Sequence, residues 1–144
     1  GWLRIVWSIT MRERPYEKLQ FYKNICEIRK YVQIITKPFE NRFRLVAQMR
    51  DSARSAKQNI REGYRKGSAK EFLHYIKISR ASLEELSGDI EDCYEDRLIS
   101  HEQYDYFYKL YSKTDFMIGQ YIRSIIKLDQ EGKWKKPNEY YLDT

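Results

Sequence analysis

The chain has 144 residues, enough for one ordinary domain, and a formal net charge of +6 at pH 7. Its two cysteines, Cys26 and Cys93, are far apart and match no metal-type spacing, which excludes a disulfide scaffold and a zinc motif. No apolar run of about 18 residues exists, so no transmembrane helix is expected.

The first ten residues are apolar but short, with one arginine and no small-residue cleavage site, a poor signal peptide. Met11, followed by Arg-Glu-Arg-Pro, looks like a natural start. Residues 1–14 are therefore expected to be an extension, either upstream translated or non-native sequence or an arm that docks on a neighbour. A first helix is expected over about residues 15–36. Phe21, Ile25, Ile28, Val32, Ile35 and Phe39 alternate steps of 4 and 3, a heptad seam. Pro38 disfavours helical geometry at Lys37 and ends it.

A second helix is expected over residues 41–64, with Asn41 as N-cap and Val46, Met49, Ala53, Ala56 and Ile60 as its seam. Ser52, Ala53, Ser55 and Ala56 are small enough to let another helix backbone approach closely. Gly63 and Gly67 are candidates to end it with positive φ. A third helix, residues 69–96, opens with the capping box Ser68-Ala-Lys-Glu71. Its seam is Phe72, Ile76, Ser79, Leu83, Leu86, Ile90 and Cys93. A fourth, residues 101–130, opens with a second box, Ser100-His-Glu-Gln103. Its seam reads Tyr104, Phe107, Tyr111, Thr114, Ile118, Tyr121, Ile125 and Leu128, and Gly132 stops it. Residues 132–144 read as an irregular tail.

Short connections between long helices favour antiparallel neighbours. The expected fold is all-α, an up-down-up-down four-helix bundle over residues 15–131. Apolar residues also lie off the seams, among them Leu19, Tyr22, Tyr31, Leu45, Leu73, Tyr75, Ile78, Tyr106, Tyr108, Ile122 and Ile126. A bundle interior uses one stripe per helix, so this second set points to a homo-oligomer, or else to a wide apolar face within one chain.

The positive charge is local. Residues 42–70 hold nine basic side chains and two acidic ones, while the rest of the chain holds 18 basic and 19 acidic. Arg50, Arg54, Lys57, Arg61 and Arg65 follow at steps of 4, 3, 4 and 4, along one side of the second helix, with Lys66 next to the last. A like-charged row costs helix stability and invites an anionic partner, the phosphate backbone of RNA or DNA first among them. Tyr64 beside Arg65 and Lys66 reads first as helix-end packing and second as a surface on which an unpaired base stacks. The competing reading pairs the row with the acidic run of the third helix, Glu84, Glu85, Asp89, Glu91, Asp92, Glu95 and Asp96, within one chain or between copies.

Catalysis finds little support. A di-iron bundle needs two Glu-x-x-His pairs; Glu71 and His74 make one, but His101 has Leu98 three residues before it. Cys26, Cys93, His74 and His101 all fit structural or surface roles, and no glycine-rich phosphate loop exists. The expectation is no enzyme, no metal and no cofactor, with reduced thiols and a cytoplasmic setting.

One stretch carries a resemblance. Gln48, the small-residue run after it, Asn59-Ile-x-Glu-Gly63, Tyr64, Ser68-x-x-Glu-Phe72 and Ser82-Leu-x-Glu-Leu86 together resemble the family of 23S rRNA intervening-sequence proteins, related to the accessory variability determinant of diversity-generating retroelements. The resemblance spans roughly residues 16–128. It implies a four-helix bundle, commonly a pentameric ring, without known enzymatic activity. In the retroelement branch it implies a basic surface that meets nucleic acid and a reverse transcriptase partner. Many relatives carry proline where this chain has Lys57, so the second helix here keeps a backbone donor and adds a charge. The resulting expectation is a nucleic-acid-binding accessory protein, RNA favoured, through Arg50, Arg54, Lys57, Arg61, Arg65 and Lys66. The alternative is a protein-interaction scaffold whose basic face binds an acidic protein or a neighbouring subunit.

Overall fold

The computed structural model describes Tyr16 and residues 19–136. Four α-helices follow in order: α1 (Gln20–Thr36), α2 (Phe43–Arg65), α3 (Ala69–Glu95) and α4 (His101–Gln130), with a short 3-10 turn at Lys37–Phe39. No strand occurs among the described residues. The arm expected at residues 1–14 and the end of the tail lie outside them; the first helix begins at Gln20, later than the expected residue 15, with extended Leu19 as its N-cap.

Each helix packs on the next in sequence, and α4 closes back on α1. Cross-helix contacts set the directions. Gln48 reaches Asp89 and Ser55 reaches Ser82, so α2 and α3 are antiparallel. Asn24 meets Met117 while Tyr31 reaches the Gln103 carbonyl, so α1 and α4 are antiparallel too. The result is an up-down-up-down four-helix bundle.

The ends of the helices are chemically specified. Ser68 caps α3 by accepting from the Glu71 amide at 3.2 Å, although the Glu71 carboxylate bonds the Ser68 hydroxyl rather than its amide, so the box is half made. Ser100 and Gln103 form the complete reciprocal box at the start of α4. Gly132, at φ 68°, ends α4, with the Lys133 amide donating to Leu128 and the Gly132 amide to Asp129. Two expectations are corrected. Arg42, not Asn41, stands at the N-cap of α2, with no side-chain cap. Positive φ at Gly63 or Gly67 does not occur. Gly63 is helical, and a Cβ there would lie 3.3 Å from both the Phe72 carbonyl and the Tyr75 Cβ, so its value is close approach to α3.

The heptad seams of α1, α2 and α3 are buried throughout. The α4 seam is corrected: Tyr104, Tyr111 and Tyr121 are half-buried and Leu128 is exposed, while Leu110 and Ile122 are in the core. A straight helix drifts roughly 20° per heptad from a 3.5-residue repeat, which rotates a long seam out of register. Tyr22 and Ile122, read as off-seam, are buried within this one chain. One aromatic cluster fills one end, where Tyr16, Tyr22, Tyr64 and Phe72 meet edge to face or at a tilt and Phe72 faces Tyr121 and Trp134; Tyr94, Tyr104 and Tyr108 stack in a second group at the start of α4. The hydroxyls of buried Tyr64 and half-buried Tyr121 pair at 2.7 Å, and burial raises both phenol pKa values.

Candidate nucleic-acid interface

The apolar stripe of α2 turns Val46, Met49, Ala53, Ala56 and Ile60 inward. Its serines Ser52 and Ser55 face α3, where Ser55 meets Ser82 at 2.8 Å and the Ala56 carbonyl accepts from Ser79 at 2.6 Å. The basic row falls on the opposite flank, against α1. Arg50 is half-buried there; its Nε donates to Thr36 Oγ1 at 3.1 Å and its Nη2 pairs with Glu40 at 3.2 Å. Arg61, also half-buried, lies near Tyr22. Burial raises the Tyr22 phenol, Cys26 raises it further, and the Arg61 guanidinium pulls against both.

The row divides by its partners. Arg50 is fixed in place by Thr36 and Glu40. Arg65 and Lys66 share Glu62 at 3.6 and 3.3 Å, and Lys66 also sits 5.1 Å from the Tyr75 ring centroid. Lys66 thereby closes the end of α2 against α3, while Arg65 stays exposed beside Glu62 of its own helix. Between them Arg54, Lys57 and Arg61 have no carboxylate within ion-pair distance among the described residues. A polar cleft of ≈ 420 Å³ opens on the outer side of Arg61, lined also by Gln58, Asn59, Glu62 and Arg65.

Sequence reasoning missed one cation. Tyr22, Cys26, Arg29, Gln33 and Thr36 step by 4, 3, 4 and 3 and are all buried or half-buried, so they form the α2-facing flank of α1. Thr36 opposes Arg50 and Tyr22 opposes Arg61. Arg29, seven residues from each, therefore stands level with Arg54 and Lys57 across the groove. The 4-3 spacing was visible in the sequence, but nothing in it said which flank of α1 faces the row. Arg29 with Arg54 and Lys57 at its level, and Arg61 about one turn beyond Lys57 along α2, make a two-sided anion cradle.

The acidic run of α3 does not neutralise this cradle. No ion pair joins it to the row among the described residues. Asp89 accepts from Gln48 on the far flank of α2, and burial raises its carboxyl pKa, opposed by that hydrogen bond. Arg80 makes the cross-helix ion pair of α3 and α4, a two-bond fork to Asp115 at 2.7 and 3.2 Å. The bundle thus has a basic α1–α2 flank and an acidic α3 flank.

Tyr64 is 8% exposed, so of its two readings the structure takes packing. Asn59 bonds Ser55 in its own helix and Glu62 pairs within the end of α2, structural roles for both. Cys93 is buried against Met49, and burial pushes its thiol up to about 11. His74 and His101 are exposed on different helices. No group of three or more His, Cys, Asp or Glu side chains is placed to hold a metal among the described residues.

Comparison with known proteins adds two findings. The family model described as 23S rRNA-intervening sequence protein matches residues 17–120. A crystal structure of a protein of unknown function from the S23 ribosomal protein family of Bacteroides thetaiotaomicron superposes with a TM-score of 0.65 at 19% identity, covering 72% of this chain and 95% of that one. At that identity the likeness carries the fold. No curated protein matches.

Proposed function

Because the chain belongs to the family of 23S rRNA-intervening sequence proteins, we propose that it is a non-enzymatic accessory protein that holds the phosphate backbone of RNA in the α1–α2 groove. One observation carries this reading: Arg54, Lys57 and Arg61 have no ion-pair partner among the described residues, and Arg29 stands across from Arg54 and Lys57. Four cations along a groove repel one another until an anion enters, and phosphate oxygens accept from guanidinium and ammonium at once. DNA offers the same phosphates; the family's description names an rRNA insert, which favours RNA.

The proposal extends to assembly. The chain acts as a homo-oligomer, with the five-membered ring that the family resemblance implies, so the groove repeats and weak contacts add by avidity. In the retroelement setting its protein partner is a reverse transcriptase. Its setting is the cytoplasm; no described helix is long and apolar enough to cross a membrane. A second reading is supported by the acidic α3 flank: the basic groove meets that flank on a neighbouring copy, or an acidic protein.

Charge reversal separates the two. Arg54→Glu with Lys57→Glu and Arg61→Glu is expected to abolish RNA retention on a filter and leave the light-scattering mass unchanged. Loss of mass with RNA retention intact would favour the protein interface and overturn the RNA reading.

A further inference from the structure

Phe43 is the first residue of α2 and is 71% exposed. It stands on the row's own side: Phe43, Arg50, Arg54, Lys57, Arg61 and Arg65 step by 7, 4, 3, 4 and 4. Exposed Arg42 and Arg44 flank it in sequence. The exposed tyrosines have ring partners, Tyr106 on Tyr31 and Tyr108 on Tyr104, whereas Phe43, like Phe116 on α4, has neither a ring nor a cation–π partner among the described residues. A bare ring about 10 Å along the helix from the next cation of the row combines a stacking face with a phosphate track.

We infer that the nucleic acid held by the basic flank is single-stranded at the start of α2, with an unpaired base stacked on Phe43. This rests on the proposed RNA reading and deepens it. A paired base is stacked above and below by its neighbours and offers no face to the ring; a splayed base does. From the stacked nucleotide the backbone runs along the row's own side toward Arg54, Lys57 and Arg61. The stack is indifferent to base identity, because every base has a π-face. Phe116, 61% exposed on α4 across the bundle, is the matched control: a bare ring away from the row.

The test is fluorescence anisotropy of labelled 12-nucleotide RNA, as a single strand and as a perfect duplex, against the full chain and its Phe43→Ala, Phe43→Trp and Phe116→Ala variants. Phe43→Ala is expected to weaken single-strand binding about five- to a hundredfold and leave duplex binding unchanged. Phe43→Trp restores the single-strand affinity, and Phe116→Ala changes neither. Equal effects of Phe43→Ala on both RNAs, no effect on either, or a changed light-scattering mass with RNA affinity intact would overturn the stacking inference; salt-dependent binding of both RNAs would then still support the groove. Failure of the unmodified chain to bind either RNA would overturn the RNA reading itself.

Discussion

Arg97 is the one described residue other than glycine with positive φ, at 60°. It stands where α3 ends: its amide donates to the Tyr94 carbonyl at 3.1 Å and the Leu98 amide to the Cys93 carbonyl at 2.8 Å, the same closure that Gly132 makes for α4. Left-handed backbone costs an L residue roughly 1–2 kcal/mol. Arg97→Gly is therefore expected to stabilise the fold by about 1 kcal/mol, less what glycine loses in unfolded-chain entropy. Thermal melting measures it, and a lowered midpoint would mean that the arginine side chain makes a compensating contact. No glycine marked this cap in the sequence, so the end of α3 was legible only from the Ser100 box that follows. At Gly63 the residue was legible and its reason was not, because close approach to Phe72 and Tyr75 is a tertiary fact.

The closest partnership between elements is α2 with α3. Ala53 and Ala56 are buried, and Ser52, Ser55, Ser79 and Ser82 line the same contact. The run of small residues in the sequence was enough to expect this close approach. Ala56→Leu is expected to wedge the pair apart at a cost of about 1–3 kcal/mol, read as a lowered denaturant midpoint, since overpacking a dense core strains rotamers and backbone. An unchanged midpoint would mean that the pair yields to the larger side chain without strain, contrary to the complete burial of Ala56. Three of the four seams were legible because α1, α2 and α3 keep apolar residues at strict 4-3 steps. The α4 seam was not, because tyrosines fill both its core edge and its wet flank, and a heptad count cannot tell Tyr111 from Leu110.

The whole molecule separates its charge, with the α1–α2 groove basic and the α3 flank acidic. The concentration of charge was legible as a +7 excess over residues 42–70. Its partition was not. Which cations are tied (Arg50 to Glu40, Arg65 and Lys66 to Glu62) and which face Arg29 depends on how α1 rotates against α2. The most direct test of the groove is a salt titration of single-stranded RNA binding. With Arg29, Arg54, Lys57 and Arg61 on phosphates, log K is expected to fall with log salt at a slope of about −3 per protomer. Replacing Arg54, Lys57 and Arg61 with Gln should reduce that slope by about 2. A slope near zero, or one that the three substitutions leave unchanged, would contradict phosphate binding in this groove.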